Sequence, residues 1–443
     1  MVMFSLIPFF VVLFISVCAS IVASKRGTDF YLADRSLSWP MLFGTLIGTQ
    51  LGGGFIVGNA DSAWQQGIWG ALYGVGLAIG LIFLGISYGR RLSRFGVSTL
   101  SELLEKKYGT PLLKQVAGLI SVLSLGGILM SLAIGCKKFL LSLGFSGEWV
   151  FFFCWGVVIF YTTYGGLLAV VWTDLLQALV MIAMLVTIFY STFLPNWIEI
   201  VQEARSLSNS FNAKALISLI IPMAFVFVEQ DMAQRCFAAK SAKDITIGAL
   251  LTSFFLVVLT VVPLAAGLLG RKIGVFPEQG SVFVQVLQLL SSPFLFAVGS
   301  SAVLLAIVST ASSVLLAVSS NIAKDITKIN GSLITAIVGG ISLFGPLLGD
   351  DVVSMMVSTY EISVFTLLIP LLAAVYSQKK NLPQEAAWGS ILFGAVASLC
   401  LFQMECEYLR IALLFGFSIL GFTIGLYKGQ NRVLTRRVVR ERV

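Results

Sequence analysis

Long apolar runs dominate this chain, and polar residues collect in short segments between them. A helix of roughly 20 apolar residues crosses a bilayer. Runs of that length lie near residues 2–23, 39–60, 67–88, 112–136, 147–164, 167–194, 214–234, 245–270, 293–322, 331–349, 353–377, 386–404 and 408–427. The pattern therefore predicts an all-α polytopic membrane protein with about 13 transmembrane helices.

Basic residues alternate between the two sides of this predicted bundle. With the N-terminus outside, 22 of the 29 Lys and Arg residues fall in the inward segments. Cytoplasmic loops carry such an excess, so we expect a bacterial plasma (inner) membrane protein with its C-terminus in the cytoplasm. The net charge of +8 then reflects topology and not nucleic acid binding. The inward segments are 24–38, 89–114, 235–244, 323–330, 378–385 and 428–443, the last of which we expect to lie against anionic lipid.

The second run, "WPMLFGTLIGTQLGGGFIVG", is rich in glycine. Gly52, Gly53 and Gly54 follow the polar pair Thr49 and Gln50. Three successive glycines can release backbone amides and carbonyls from helix pairing, which a membrane tolerates only beside a cavity or ligand. The run therefore predicts a broken helix. The alternative is a close helix-packing face, which small residues also serve.

Thirteen helices divide into one, five, five and two. Many secondary transporters contain two five-helix repeats of opposite orientation, with the site near the midplane where the first helix of each repeat is broken. We therefore expect a 5+5 inverted-repeat core with broken first and sixth core helices. The predicted units are an extra N-terminal helix and cytoplasmic loop (1–38), the first repeat (39–196), an extracellular linker (197–213), the second repeat (214–377), and two C-terminal helices with the basic tail (378–443).

The run "AIVSTASSVLLAVSS" places hydroxyl groups inside an otherwise apolar helix. Ser309, Ser312 and Ser313 fall on one side of that helix, with Thr310 beside Ser309. Hydroxyl and carbonyl oxygens are hard ligands, suited to alkali and alkaline-earth ions. Carbonyls released near Gly48 and Leu51 could complete such a shell. The alternative is that the hydroxyls bond to carbonyls one turn earlier or join helices together.

Four acidic residues lie at membrane depth. Asp174 is the only charge in its span and is a functional candidate by position. Because no Lys or Arg lies in that span, a cation from solution is its simplest partner. Asp231 and Arg235 are one turn apart and predict a structural pair. Glu229 and Glu361 are freer to contact a solute with a cationic group.

The chemistry of most enzymes is absent from the sequence. The chain has no His, and its six Cys residues show no CxxC spacing. No metal-spaced cluster or nucleophile motif is present either, so we predict that the protein is not an enzyme. A proton-coupled carrier with Asp174 as the titrating group, or a non-transporting sensor module, remains an alternative to an ion-coupled carrier.

The chain resembles the sodium:solute symporter family in four stretches. They are "DFYLADRSLSWPMLFGTLIGTQLGGGFIVGNADSAWQQG", "YTTYGGLLAVVWTDLLQALVMI", "QRCFAAKSAKD" and "AIVSTASSVLLAVSSNIAKDI". The resemblance implies a first sodium site made by the carbonyls of Gly48, Leu51 and Ala306 and the hydroxyls of Ser309 and Thr310. It also implies a second sodium near Asp174, Ser309, Ser312 and Ser313. Many relatives carry aspartate where this chain has Ser313, so one or two ions remain possible.

The resemblance further implies sodium-coupled import of a small organic solute by alternating access. The broken helix offers Gln50, Phe55 and the amides of Gly52, Gly53 and Gly54 to that solute, and Glu229 and Glu361 offer carboxylates. Amides at a helix end suit a carboxylate, and an acidic side chain suits an ammonium. We therefore expect an amino acid or another zwitterionic or amine compound. The expected partners are the solute, sodium ions and membrane lipid, with no nucleic acid and no obligate protein partner.

Overall fold

A computed structural model describes residues 6–24, 29–145, 148–207, 213–347, 352–379, 381–401, 403–404 and 406–440. Within these ranges the regular elements are helices, and the only β-type contact is an isolated bridge between Leu37 and Ala239. The α-helices are α1 (Ile7–Ser24), α2 (Trp39–Gln50), α3 (Asn59–Gln66), α4 (Leu72–Phe83), α5 (Gly89–Leu92), α6 (Leu100–Tyr108), α7 (Pro111–Ser142), α8 (Glu148–Ile188), α9 (Trp197–Ser206), α10 (Ala213–Phe225), α11 (Gln230–Ala238), α12 (Ala242–Lys272), α13 (Val282–Leu290), α14 (Pro293–Asn321), α15 (Gly331–Ser342), α16 (Val352–Tyr376), α17 (Gln384–Cys400) and α18 (Glu407–Arg440).

The helices follow the apolar runs, and each of the predicted runs contains helix. Among the described residues, 6 helical segments are long and apolar enough to cross a membrane, or 7 if the bent pair α10 and α11 is counted as one span. Three shorter apolar helical segments are Ile7–Val22, Gly331–Leu347 and Glu361–Tyr376. The all-helical polytopic class is confirmed. The count of thirteen and the inverted repeat stay predictions.

Helix interruptions occur where the sequence predicted them. The chain leaves helical geometry at Leu51 and Gly52, between α2 and a short π-helical turn at Gly54–Gly58 that leads into α3. α10 and α11 are separated by a four-residue break and meet at an angle of 41°. Both expected broken helices are therefore interrupted in the structure.

A further break divides α8 into the two runs that the sequence predicted. Gly166 has φ 55° inside this element, and a Cβ there would lie 2.4 Å from the carbonyl oxygen of Phe30. The amide of Leu167 donates to that same carbonyl at 2.9 Å. Only glycine combines a positive φ with this close approach, so the position turns the chain and anchors the loop before α2.

Among the six described segments long enough to cross a membrane, the one that contains α14 and its hydroxyl-rich run is the most enclosed. The most apolar stretch of this segment is 94% buried, compared with 28% for that of α18. It packs against α2, α7, α8 and α11. Because packed protein surrounds these hydroxyls, each must find a partner within the bundle.

Short elements outside the spans also bear on the predictions. The Thr99 hydroxyl accepts the amide of Glu102 at 3.0 Å and caps α6. The nine residues of α13 were not predicted, because they are too few to form a span.

In the basic tail, the side chains of residues 432–440 lie outside the described residues, so its contact with lipid stays a prediction.

Candidate functional site

The end of α2 meets α14 through oxygen atoms and glycine. A Cβ on Gly48 would lie 2.9 Å from Ser309 Oγ, and one on Gly52 would lie 2.6 Å from Thr310 Oγ1. The absence of side chains at these positions lets the broken helix approach the hydroxyls directly. The glycine-rich run therefore combines the two alternatives, since its helix is broken and also packs closely against α14.

The break releases carbonyl groups next to Thr310. α2 ends at Gln50, and the amide of Leu51 bonds back to Ile47. The last carbonyls of a helix have no amide partner within it, which here leaves those of residues 48–51. The Thr310 hydroxyl lies 2.9 Å from the carbonyl oxygens of both Thr49 and Ala306, and it can donate to either. Thr310 therefore contacts a carbonyl at the end of α2, next to Gly48 of the first predicted ion site.

Asp174 lies at the centre of a set of hydroxyl donors. It is fully buried in α8. Ser309 donates to its Oδ1 at 2.7 Å, and Thr45 and Ser313 donate to its Oδ2 at 2.6 and 3.1 Å. Charge-assisted bonds of this kind satisfy both oxygens of the carboxylate.

The partner of Asp174 is an arginine, so the expectation of a cation from solution is wrong. Nη2 of Arg235 lies 3.4 Å from Asp174 Oδ2, and both side chains are almost completely buried. Arg235 lies on α11, outside the span that contains Asp174, so the sequence of that span alone does not indicate the pair. Arg235 was also counted as a cytoplasmic loop charge, yet its side chain is only 1% exposed.

All three nitrogen atoms of the Arg235 guanidinium donate hydrogen bonds within this cluster. Nε donates to Thr45 at 2.9 Å, and Nη2 donates to Thr49 at 2.8 Å and to Ser313. Nη1 donates to the carbonyl of Asp231 at 2.7 Å and lies 3.9 Å from its carboxylate. The predicted pair of Asp231 and Arg235 is therefore present, but the arginine is directed mainly at the hydroxyl and carboxylate oxygens around Asp174.

Ser312 bonds to a carbonyl one turn earlier in its own helix, as Thr310 also can. The Ser312 hydroxyl donates to the carbonyl of Ser309 at 2.9 Å, as the structural alternative proposed. Ser309 and Ser313 instead turn to Asp174. The run thus mixes a hydroxyl that bonds within its own helix with hydroxyls that face the cluster.

The position of α11 is set by the segment that precedes α2. Leu37 exchanges backbone hydrogen bonds with Ala238 and Lys240 at 3.1 and 2.9 Å. The Gln234 amide donates to the carbonyl of Tyr31 at 2.8 Å, and the Tyr31 hydroxyl donates to Ser319 of α14 at 3.1 Å. Burial raises the pKa of Tyr31 to about 12, so this hydroxyl stays a donor at neutral pH. These bonds fix the helix that carries Arg235.

A cavity opens beside the interrupted helix. Its volume is about 40 Å³, far below the roughly 300–1,000 Å³ of small-molecule sites, so side chains must move before a solute can enter. Its lining includes Gln50, Gly52, Gly53, Gly54, Phe55, Tyr73, Phe225, Glu229 and Thr310.

Glu229 provides the acidic side chain in this cavity. It lies in the break before α11 and is 8% exposed. Gln50 Nε2 lies 3.5 Å from its Oε2 and 3.3 Å from the sulfur of Met232. Within the described residues no Lys or Arg nitrogen comes within 4.0 Å of the Glu229 carboxylate, so a cationic group could bind there.

Glu361 lies apart from this cavity. Its Oε1 accepts from Nη2 of Arg410 in α18 at 2.7 Å, and it is absent from the lining of the cavity. The sequence treated Glu361 as a free acid equivalent to Glu229. The two differ because only Glu361 lies next to a basic side chain from another helix.

The sequence missed Arg235 and Thr45 as members of the cluster. One signal was available, since "EQDMAQR" places several polar groups at the end of a predicted span. All nine residues of α11 are buried, which the sequence alone did not indicate because the span was ended at residue 234. A polar helix buried on every side is expected where it meets other polar groups.

Comparisons with known proteins agree on the class of molecule. The model of the sodium:solute symporter family matches residues 30–330. The chain is 27% identical over 334 residues to the high-affinity proline transporter PutP of Bacillus subtilis, covering 68% of each protein. It is 24% identical to sodium/glucose cotransporter 1 of Ovis aries over 60% of this chain and 46% of that protein.

Solved structures show the same fold. A sodium-coupled sialic acid symporter in a substrate-bound outward-open state superposes with a TM-score of 0.79 and 14% identity, covering 95% of this chain and 96% of that one. The nucleobase-cation symporter Mhp1 in a closed conformation gives a TM-score of 0.55 with 15% identity, covering 93% and 96%. At these identities the likeness concerns the fold alone.

Proposed function

This chain belongs to the sodium:solute symporter family, and on that premise we propose that it imports a small organic solute together with sodium by alternating access. The observation that carries the proposal is the junction of α2 and α14, where the Thr310 hydroxyl contacts the Thr49 carbonyl at the helix break and Gly48 lies against Ser309 Oγ. A buried cation needs such oxygens in place of its water. Sodium bound there would join the broken helix to α14 and shape the adjoining cavity.

The first sodium site is proposed at the carbonyls of Gly48, Leu51 and Ala306 with the hydroxyls of Ser309 and Thr310. Thr310 supports it most directly, because its hydroxyl already contacts carbonyls of both helices. Sodium and solute then favour each other's binding, since both act on the same interrupted helix. This coupling free energy is reciprocal.

Thr310→Ala is expected to weaken apparent sodium affinity by roughly 10- to 100-fold, because a bond to a charged group contributes about 1.5–3 kcal/mol. Sodium titration of the thermal unfolding midpoint of purified protein measures this. Thr260→Ala is the matched control, since that buried hydroxyl bonds only to Leu256 in its own helix. Equal sodium affinity in wild type and Thr310→Ala would reject the site.

The proposed solute is an amino acid or a related zwitterionic or amine compound. Amides of Gly52 to Gly54 begin a helical segment at the cavity and suit a carboxylate. Glu229, on the opposite part of the lining, suits an ammonium. One of the relatives named above is a proline transporter, which agrees with this class. Glu361 is better suited to a gate or to helix packing than to solute contact, because its carboxylate is paired with Arg410.

A thermal-shift screen tests function and solute class together. Amino acids, quaternary amines, sugars and carboxylates are added with sodium or with potassium in its place. We expect an amino acid or amine to raise the unfolding midpoint only with sodium, since a ligand at 100 times its Kd stabilises by about 2.7 kcal/mol. Glu229→Gln should weaken that response about 10- to 100-fold, whereas Glu361→Gln should keep it. Stabilisation by a sugar, unaffected by Glu229→Gln, would reject the proposed solute.

Proton coupling through Asp174 is less well supported than sodium coupling. The Asp174 carboxylate already has a guanidinium and three hydroxyl donors around it. These partners favour its charged form. A proton carrier needs a group that gains and loses its proton during each cycle.

The architecture is proposed to follow the family. Five helices from residue 39 and five from residue 214 would form the inverted repeat, with α1 before it and α17 and α18 after it. The N-terminus would lie outside and the C-terminus in the cytoplasm of a bacterial plasma membrane. The interruptions at Leu51–Gly52 and between α10 and α11 support this, because they occupy the first helix of each proposed repeat.

A further inference from the structure

The short helix α6 lies in the inward segment 89–114 and belongs to the first proposed repeat. It is not a loose surface helix, because Leu100, Leu103, Leu104 and Tyr108 on it are buried. It packs against α7 and against α16, the last helix of the second proposed repeat. α6 therefore joins the two repeats on the proposed cytoplasmic side.

Gln230 holds the beginning of α6. Its Oε1 accepts the amide of Leu100 at 2.9 Å, and its Nε2 donates to the carbonyl of Ser98 at 3.2 Å. The Gln230 side chain is 1% exposed. A side-chain amide has both a donor and an acceptor, and here both are used on one short segment of backbone. The position of that segment is thereby tied to α11.

Two further bonds attach α6 to the second repeat. The Thr99 hydroxyl, at the start of α6, donates to Oδ1 of Asp325, just beyond the end of α14, at 2.7 Å. At the other end of α6, the Tyr108 hydroxyl donates to the carbonyl of Pro370 in α16 at 3.0 Å. Thr99 and Tyr108 are both buried, so water does not replace these bonds while the helices stay packed. α6 is thus bonded at both ends.

Movement of the repeats would break these attachments. Alternating access is largely a movement of one repeat against the other. In this chain such a movement must separate α6 from α11, α14 and α16. The cytoplasmic side consequently stays closed for as long as the bonds at both ends of α6 persist.

Gln230 also lies next to the solute cavity. It is the first residue of α11 and follows Glu229, which occupies the break and lines the cavity. The side chains around this cavity must move before a solute enters. Because Glu229 and Gln230 share a peptide bond, a shift of the break is passed directly to the side chain that holds α6.

We propose that α6 is a strap that holds the cytoplasmic side closed, and that Gln230 is the positioning residue through which movement at the second helix break releases it. The inference rests on the proposed function, since a strap of this kind has a role only in alternating access. It requires neither a solute contact nor a sodium ligand from Gln230.

The test measures how fast a thiol at position 320 reacts with a membrane-impermeant maleimide in purified full-length protein, with sodium and no solute. Ser320 is fully buried, and its Oγ lies 3.5 Å from Nε2 of Gln230, so Ser320→Cys reports separation of the two. Mass spectrometry assigns the label to that position, so the six native Cys residues stay in place. With Ser320→Cys alone, we expect slow labelling.

Two substitutions in this Ser320→Cys parent should release the strap. Gln230→Met keeps the size of the side chain and removes its bonds to residues 98 and 100, so it should raise the labelling rate roughly tenfold. Tyr108→Phe removes only the bond to Pro370 and should raise the rate less. Gln234→Met is the matched control, because Gln234 is equally buried on the same helix but bonds to the carbonyl of Tyr31. It should leave the rate unchanged.

Each outcome bears on the strap. Rapid labelling of the parent overturns the inference, and so does an unchanged rate in Gln230→Met or in Tyr108→Phe. A rise in Gln234→Met as large as that in Gln230→Met indicates general loosening of α11 and also overturns it. If Gln230→Met fails to fold, Tyr108→Phe decides. The proposed function fails separately, if sodium does not change the unfolding midpoint of the wild type.

Discussion

Asp174→Ala is expected to lower the free energy of unfolding by about 3–5 kcal/mol, the cost of leaving one partner of a buried ion pair uncompensated. Arg235 is 1% exposed, so solvent does not reach it to replace the lost carboxylate, and its other acidic partner, Asp231, lies farther away at 3.9 Å. Ser309 and Ser313 would lose an acceptor as well. The measurement is the unfolding midpoint of purified protein in detergent, with far-UV circular dichroism to confirm that the variant folds.

The control is a charge pair of the same type at the surface. Glu203 lies 3.5 Å from Arg271, and both side chains are more exposed than those of the Asp174 pair. Exposed pairs contribute about 0–1 kcal/mol, so Glu203→Ala should change stability far less. The double variant D174A/R235M should recover part of the loss, because it removes the unpaired charge. Equal effects of Asp174→Ala and Glu203→Ala would contradict the assignment of a buried pair.

This result would also change an expectation drawn from the sequence. With a solution cation as its partner, Asp174 could be neutralised at little cost to folding. The arginine reverses that reasoning, since any neutral residue at position 174 leaves a fixed buried charge. A carboxylate whose partner comes from another helix cannot be recognised from its own span.

The features that the sequence predicted well depend on local pattern. Apolar length indicated the helices, and consecutive glycines indicated the break after Gln50, because each property acts within one segment. Cavity-lining residues such as Phe55 and Glu229 were predicted because they lie at those breaks. The pairing of α2 with α14 was proposed from ligand chemistry, because one helix supplies too few oxygens for an ion, and the family resemblance implies the same pairing.

The features that the sequence did not predict depend on contacts between distant segments. Arg235 and Asp174 are 61 residues apart, and Glu361 and Arg410 are 49 apart. Charge counting assigned Arg235 to a cytoplasmic loop, as the positive-inside rule does for any base near a span end. Only the packing of α11 against α2 and α14 distinguishes a loop charge from a buried one.

Gly52→Ala is expected to reduce sodium-driven uptake to background, because the added Cβ would lie 2.6 Å from Thr310 Oγ1. Real Cβ atoms do not approach an oxygen so closely, so either the Thr310 hydroxyl must rotate away or α14 must move away from the break in α2. In either case the carbonyls released at the break and the Thr310 hydroxyl would no longer be placed to share one ion. Uptake into proteoliposomes under an inward sodium gradient measures the effect, with the solute identified by the thermal-shift screen.

Gly58→Ala is the matched control for this substitution. Gly58 lies on the helical turn beyond the same break, and a Cβ there would meet no atom within 4 Å. Both substitutions remove a glycine from one interrupted helix, and alanine favours helix at either position. They differ in position, since Gly52 contacts Thr310 of α14 and lines the cavity, whereas Gly58 does neither. If Gly52→Ala transports as well as Gly58→Ala, the close approach of the two helices is not needed for coupling, and the sodium site must lie elsewhere.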